Sequence, residues 1–280
     1  MTVWLPRSPC GLYCLPASVP QVSPAVVLRR IAAAVGVLLL AVLAVPVLAV
    51  PVLALAGADR RAGLMRCFAR ALLAALGVRH HASGRPPAPS SRSGALIAAN
   101  HVSWLDVLVV LAYTPARLLA KREVRDWPLI GPIAAAAGTV FIDRTRIRAL
   151  PGTVADVASA LRRGAVVAVF PDGTTWCGRT GGAFRPALFQ AAVDAQAPVV
   201  PVTLRFELDG GRRTTVAAFL GDDTLWASIR RVVRTRGLTV ALHAHPALYP
   251  MAGASRRALA RAAGAAVHGS PQPVVLQPAA

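Results

Sequence analysis

Between residues 31 and 56 the chain runs for 26 residues without a charged or polar side chain, bounded by Arg29-Arg30 and Asp59-Arg60-Arg61. About 20 apolar residues suffice to cross a bilayer as a helix, so this stretch restricts the architecture more than any other. It begins too late and runs too long for a cleaved secretory signal. Pro46 and Pro51 interrupt it, and two arrangements stay open: a straight span, or a kinked hairpin that returns to the face it entered. Three basic residues precede the run (Arg7, Arg29, Arg30) and five follow it (Arg60, Arg61, Arg66, Arg70, Arg79), a bias that assigns the downstream chain to the cytoplasm. Residues 60–79 then place Leu64, Phe68, Leu72, Ala75 and Leu76 on one helical stripe. That pattern fits a helix lying on an anionic interface, or an amphipathic core helix.

Polar chemistry concentrates after residue 94. Gly94-Ala95-Leu96-Ile97-Ala98-Ala99 is small and apolar without a helical stripe, and residues 107–111 carry an apolar run on towards Tyr113. A buried strand is therefore expected to turn into a helix through Asn100-His101-Val102-Ser103-Trp104-Leu105-Asp106. Ser103 stands three residues before Asp106, a carboxylate variant of the capping box with Ser103 as N-cap. Positions five apart on a regular helix are rotated by about 140° and do not face each other. With His101 on the turn and Asp106 in the first helical turn, the carboxylate reaches one imidazole nitrogen and leaves the other for a substrate. Such a pair is half of a triad, in which the carboxylate fixes the tautomer and the histidine removes a proton. No Gly-x-Ser-x-Gly elbow occurs, so the proton would come from the substrate's own hydroxyl. Backbone N–H groups of the 100–104 or 172–174 turns are candidates to hold an oxyanion. The residues alone leave a second reading open, in which Asp106 only caps a helix and His101 is a turn residue.

Downstream, short apolar runs alternate with helical patterns. Strands are expected at 95–99, 116–120, 139–142, 165–170, 198–204, 214–220 and 238–243, and helices at 104–113, 127–136, 150–162, 184–195, 224–235 and 254–267. The alternation predicts an α/β fold, a mixed, largely parallel sheet flanked by helices and preceded by the N-terminal apolar helical segment. Open α/β sheets place their sites at strand ends, where three further polar clusters fall. Gly138-Thr139-Val140-Phe141-Ile142-Asp143-Arg144 delivers either a guanidinium fork suited to phosphate or a local ion pair. Val169-Phe170-Pro171-Asp172-Gly173-Thr174-Thr175 ends in a turn bearing a carboxylate, a glycine and two hydroxyls, a signature that ordinary turns also carry. The apolar run 197–203 holds Pro201, which marks a sheet edge, a close approach of ligand to backbone, or simple packing.

Taken in order, these four blocks resemble the glycerolipid acyltransferase family that includes 1-acylglycerol-3-phosphate acyltransferase. Its pattern is Asn-His-x4-Asp, Gly-x-x-Phe-Ile-Asp-Arg, Phe-Pro-Glu-Gly-Thr and a Val-Pro-Val strand. The resemblance implies that His101 is the general base and Asp106 its partner, and that Arg144 is a phosphate ligand. It also implies that Asp172, Gly173 and Thr174 belong to the acceptor site, with Lys121, Phe141, Arg185 and Pro201 contributing to substrate binding. Two positions depart from the family. Asp172 replaces the usual Glu and shortens its reach by a methylene. Thr175 replaces the Arg usual in phosphatidic-acid-forming members, which opens a lyso-ornithine lipid as an alternative acceptor.

A formal charge of +19, from 31 basic residues against 12 acidic, suits an anionic partner such as phospholipid headgroups. The four cysteines, at 10, 14, 67 and 177, make neither a disulfide framework nor a zinc spacing, and His243 with His245 lacks a third ligand. No metal and no cofactor are expected. Cys177 is read as a packed thiol or a nucleophile. The whole predicts a membrane-associated O-acyltransferase on the cytoplasmic side. It would move a fatty acyl group from acyl-CoA or acyl-ACP (acyl carrier protein) to the free hydroxyl of a lysophospholipid, first of all 1-acyl-sn-glycerol-3-phosphate, with membrane lipid and no nucleic acid as partner. The expected organisation is a disordered 1–25, a membrane-associating helical region 26–82, a linker 83–94, an acyltransferase domain 95–268 and a disordered tail 269–280. A basic, membrane-anchored anion-binding protein without chemistry is the rival, and it has no need of His101.

Overall fold

Apolar stretches that lack a helical stripe and are bounded by turn residues pair as strands, and in the computed structural model they build one eight-stranded sheet. The structure describes residues 7–49, 58–85, 94–128, 130–136, 138–142, 147–251 and 253–269. In chain order, α1 (Pro24–Ala49) and α2 (Ala58–Ala75) precede β1 (Arg79–Ser83), β2 (Ala95–Ala99), α3 (Leu105–Tyr113), β3 (Ala116–Lys121), α4 (Ile130–Ala136) and β4 (Val140–Ile142). Then come α5 (Leu150–Arg162), β5 (Val166–Val169), α6 (Phe189–Ala195), β6 (Val199–Leu208), β7 (Arg212–Arg213), α7 (Leu225–Arg234), β8 (Thr239–Ala244) and α8 (Arg256–His268).

The strand order is β1-β8-β6-β2-β5-β3-β4, with β7 paired to β6. Strands β6, β2, β5, β3 and β4 run parallel, β8 is antiparallel to β6, and β1 is parallel to β8. Five C-terminal strand ends therefore share one edge, where this class of sheet places its chemistry. Successive side chains of a strand point to opposite faces, and both faces are covered here, which is why the strands read as continuous apolar runs. Ile97, Ala99, Ala168 and Val202 join Leu72, Leu73, Leu105 and Val109 of α2 and α3 in one core. Leu96, Ala98, Val167 and Val199 join Leu161, Phe189 and Leu259 of α5, α6 and α8 in the other. The mixed, largely parallel α/β sheet and the N-terminal apolar helix are thus as expected from sequence.

Five local expectations are corrected. Residues 214–220 form no strand: Ala218 N–H closes a turn on Thr215 O, and the Arg231 guanidinium takes the carbonyls of Val216 and Ala218 at 2.7 and 2.8 Å. A side chain satisfies the backbone acceptors that a ladder would otherwise use. The helical region expected over 26–82 gives way after Ala75 to β1, which belongs to the sheet and pairs with β8, so the sheet starts before residue 95. Of the expected linker 83–94, Ser83 ends β1, Gly94 is buried with its N–H on Leu161 O, and 86–93 lie outside the described residues. Residues 7–23, expected to be disordered, hold a 3-10 turn at Leu12–Cys14 and pair with the rest of the fold through Val22 N–H to Arg234 O and Arg236 N–H to Pro20 O. Helix α6 begins at Phe189 rather than at 184, after the turn that follows Pro186. Of the tail beyond α8 only Gly269 lies within the described residues.

Among the described residues, one helix is long and apolar enough for a bilayer, Pro24–Ala44 with a mean hydropathy of 2.3. Leu28, Val35, Leu39, Leu40 and Leu43 are exposed on it, while Val27, Ile31, Ala34, Val37 and Leu38 pack against the core. Its first turns are fastened to the domain, because the Arg30 guanidinium donates to the carbonyls of Val233 and Thr235 at the end of α7. The chain on the far side of the apolar run is fastened to the same domain, since α2 buries Leu72, Leu73 and Leu76 beside α3 and Arg70 donates to Ala112 O at 3.0 Å. Both flanks of the apolar run therefore pack on one body.

The C-terminal part of that stripe, Leu72 and Leu76, is core, while Leu64 at its start is exposed. Leu73→Ala should cost about 2–5 kcal/mol in denaturant unfolding, whereas Leu64→Ala, at a side chain 44% exposed, should stay within about 0.5 kcal/mol. Equal effects at the two positions would contradict this burial.

Candidate active site

The strand β2 ends where Asn100 closes onto β6: its side-chain N–H₂ donates to Leu204 O at 3.0 Å and its Oδ1 accepts from Leu204 N–H at 2.7 Å. An amide side chain thus mimics one more rung of the ladder and stops the strand at a fixed place. The chain turns there, and Leu105 opens α3. Ser103 Oγ accepts from Leu105 N–H, and Asp106, wholly buried, reaches back to the turn. Its Oδ2 accepts from Val102 N–H at 2.6 Å, from Ser103 N–H at 2.8 Å and from His101 Nδ1 at 2.8 Å. The bond to Ser103 N–H has the reach of a capping box's return arm, but the N-cap of α3 is Trp104 and not the expected Ser103, whose Oγ meets Leu105 N–H. Cap and histidine partner, which the sequence left as alternatives, are one oxygen.

A carboxylate only accepts, so Nδ1 carries the hydrogen and Nε2 carries the lone pair. The imidazole is 20% exposed and stacks on Phe170, with ring centroids 4.3 Å apart and planes 19° apart. The His101 main chain is held at both ends: its N–H donates to Asp172 Oδ2 at 2.7 Å, and its carbonyl accepts from Trp176 N–H at 2.8 Å. Gly173, at φ +72°, makes the turn that brings Asp172 back to the strand ends. The arrangement is a fixed, oriented imidazole with one basic nitrogen, suited to taking a proton from a hydroxyl.

The same bonds overturn part of the expected oxyanion hole. The N–H groups of 101, 102 and 103 already donate to carboxylates, and Gly173 N–H donates to Phe170 O at 3.0 Å, so these amides are not available to an oxyanion.

The residues expected to bind substrate spread along the sheet edge. Asp172 faces inward and is 4% exposed, holding the His101 main chain. Gly173 and Thr174 are half-buried in the same turn. Lys121 is exposed at the end of β3, two strands from β2 or about 10 Å along the edge. Phe141 is half-buried in β4, under the Arg125 guanidinium at 5.8 Å. Arg185 is exposed, and its N–H donates to Pro171 O at 3.0 Å. Pro201 is buried inside β6 beside Ala98, its carbonyl accepting from His245 N–H, so it is not at an edge. Arg144 lies outside the described residues. Thr175 donates its hydroxyl to Phe219 O.

A cavity of about 630 Å³ borders the His101 turn and is lined by Asn100, Trp176, Phe184 and His268, with Arg179, Arg205, Arg213 and Arg261. Those arginines and His268 were not singled out from sequence; they come from separate elements between Arg179 and His268, and no local motif marks them. Cys177 is buried and does not line this cavity. Burial pushes its thiol up, but the N–H groups of Thr180 and Arg179 and hydrogen bonds from Cys10 and Thr180 bring it down to about 7.

Burial also pushes the Asp172 carboxyl up to about 7, against the His101 N–H, which favours the charged form; the nearby Asp106 charge adds to the rise. His268 Nε2 stands 3.8 Å from Asp172 Oδ1, and burial holds that imidazole below its ordinary value. Asp172 therefore serves as a structural acceptor that changes charge near neutrality.

The acyltransferase family profile matches residues 79–205. Over 171 residues the chain is 40% identical to the 1-acyl-sn-glycerol-3-phosphate acyltransferase of Neisseria meningitidis, a match spanning 61% of this chain and 66% of that protein, just under two thirds of its length. Over 218 residues it is 36% identical to the lyso-ornithine lipid O-acyltransferase of Pseudomonas aeruginosa, spanning 76% of this chain and 81% of that protein. The crystal structure of the 1-acyl-sn-glycerophosphate acyltransferase of Thermotoga maritima aligns with a TM-score of 0.59 at 21% identity, over 86% of this chain and 95% of that one, which makes the folds alike.

Asp172 yields a signed expectation. A carboxyl raised from 3.8 to about 7 keeps, in the folded state, a proton that the unfolded chain has released, so it lowers stability as pH climbs through that window. Asp172→Asn keeps an acceptor oxygen for His101 N–H and removes the titration. Its stability relative to the parent protein should rise between about pH 4 and pH 7 in denaturant unfolding; a difference independent of pH would contradict the assignment.

Proposed function

This chain belongs to the glycerolipid acyltransferase family, and we propose that it transfers a fatty acyl group from a thioester, on coenzyme A or acyl carrier protein, to the free hydroxyl of a lysophospholipid. The observation that carries the reading is the His101–Asp106 pair, with Nδ1 on a buried carboxylate at 2.8 Å and no serine elbow in the chain. His101 Nε2 takes the acceptor's hydroxyl proton as the oxygen attacks the thioester carbonyl. The tetrahedral adduct then collapses, the carbon–sulfur bond breaks, and the thiol leaves with that proton. General-base assistance of this kind is worth about 10²–10⁴-fold. No metal or cofactor is needed for these steps.

The acceptor we favour is 1-acyl-sn-glycerol-3-phosphate, giving phosphatidic acid, with Arg144, which the family resemblance singles out, as the phosphate ligand. Thr175 supports a second acceptor, a lyso-ornithine lipid, because its hydroxyl serves the backbone at Phe219 where a phosphate site would gain from a cation. We further propose that α1 lies in one leaflet and returns, which holds the domain at the cytoplasmic surface where both lipid substrates present their headgroups.

In the folded protein, His101→Ala should reduce acyl transfer about 10²–10⁴-fold and lower the melting temperature less than Asp106→Asn does, since Asp106 keeps its two backbone donors. Asp106→Asn should lower both activity and melting temperature, because one oxygen orients the imidazole and caps α3. Activity above a few per cent in a folded His101→Ala protein, followed by lipid mass spectrometry, would remove the histidine from the mechanism.

Acceptor choice is testable with a mixture of lysolipids and acyl-CoA. Arg144→Lys should raise the lysophosphatidate KM well above any change in the donor KM, with about 10- to 150-fold lost in kcat/KM, the equivalent of a charge-assisted bond of about 1.5–3 kcal/mol. Thr175→Arg should shift use towards lysophosphatidate over lyso-ornithine lipid. Equal effects of Arg144→Lys on both substrates would rule out phosphate binding there.

A further inference from the structure

Three of the four cysteines meet in space. Cys10 and Cys14 lie ahead of α1, on and beside the 3-10 turn Leu12–Cys14, and Cys177 lies in the loop between β5 and α6. Their sulfurs are all within 4.8 Å of one another, with Cys10 and Cys177 buried and Cys14 half-buried. Cys67, the fourth, is exposed on α2 and takes no part. The 3-10 turn explains the first pair: Cys14 N–H closes on Gly11 O at 2.9 Å, which folds the four-residue separation back so that both thiols face the same way. The Thr215 hydroxyl then holds the carbonyl of Cys14 at 2.6 Å, keeping the turn against the domain.

We propose that Cys10, Cys14 and Cys177 form a thiolate site for a thiophilic d¹⁰ metal ion of the Zn²⁺ type. Three sulfurs at about 2.3 Å from one ion stand about 4 Å apart, so the observed triangle needs only a small inward rotation of the side chains. Sulfur ligands select such ions over Mg²⁺ or Ca²⁺, whose preference is for oxygen. The Thr180 hydroxyl lies 3.8 Å from both Cys10 Sγ and Cys177 Sγ, within reach of a hydrogen bond to either thiolate, the kind of outer partner that holds metal ligands in place. A water fills the fourth position, since no fourth Cys, His, Asp or Glu joins the group among the described residues.

Such an ion clips the segment ahead of the apolar helix to the loop that supports the catalytic turn. Trp176, next to Cys177, is the residue whose N–H holds the His101 carbonyl. The ion therefore orders both ends of a contact between the membrane-facing N-terminus and the active-site loop, without touching substrate.

The test uses the full-length protein in detergent, reduced and freed of metal. Zn²⁺ should bind one ion per chain by elemental mass spectrometry, and Cd²⁺ should give thiolate-to-metal charge-transfer absorption at the same stoichiometry. Cys10→Ser, Cys14→Ser and Cys177→Ser should each weaken Zn²⁺ by more than about 100-fold, beyond what loss of an outer partner produces. Cys67→Ser should leave it unchanged. Absence of the Cd²⁺ band in the parent protein overturns the site whatever the variants do. So does Zn²⁺ binding that falls equally in Cys67→Ser.

Discussion

One buried oxygen organises the site. Asp106 Oδ2 gathers two backbone N–H groups and the imidazole of His101, and so ends a strand, starts a helix and selects a tautomer together. Charge-assisted hydrogen bonds each contribute about 1.5–3 kcal/mol, though three on one oxygen do not add independently. Burying a carboxylate is costly unless it is well paired, and here Oδ2 takes three short bonds while Oδ1 is buried without a partner. The turn cannot relax without leaving that charge unpaired. The orientation of His101 is thereby tied to the stability of the corner itself.

The main chain of His101 is fixed with equal care. Asn100 locks the preceding residue to β6, Asp172 takes the His101 N–H, and Trp176 takes its carbonyl. Phe170 lies under the ring. Four contacts, three from the one loop between β5 and α6 and one through β6, thus fix this corner, the preorganisation that the proposed general base calls for. The consequence for electrostatics is less obvious. The N–H groups of residues 101, 102 and 103, which the turn would offer to an oxyanion, are spent on holding His101, so in the proposed reaction the oxyanion would be met by other groups.

Attachment to the membrane follows from the same packing. Arg30 is anchored on α7 and α2 is anchored on α3, so the apolar helix leaves and rejoins a single domain. Its exposed leucines face away from the protein on one side only. The outward side is as apolar as the side packed on the domain, which suits contact with lipid.

What the sequence by itself determined was local. Strand and helix alternation, the apolar run and the His101–Asp106 pairing are encoded within a few residues, because a pleat, a helical turn and a capping turn are each short enough for neighbouring side chains to decide. The fold class and the positions of β2, α5 and β8 were legible for that reason, and so was the family. Tertiary structure decided the rest. Residues 214–220 look like a strand until Arg231, from another element, takes their carbonyls. Residues 79–83 show five exposed side chains and no apolar alternation, yet pair with β8, since only the neighbouring strand supplies the ladder. Asp172 reads as a turn carboxylate and becomes the acceptor for His101 because β2 and β5 are adjacent in the sheet. The arginines of the cavity and the three clustered thiols likewise converge only through strand order and loop closure. Long-range neighbours of this sort leave no periodic trace in the chain, because each is set by which elements pack together and not by the residues beside it.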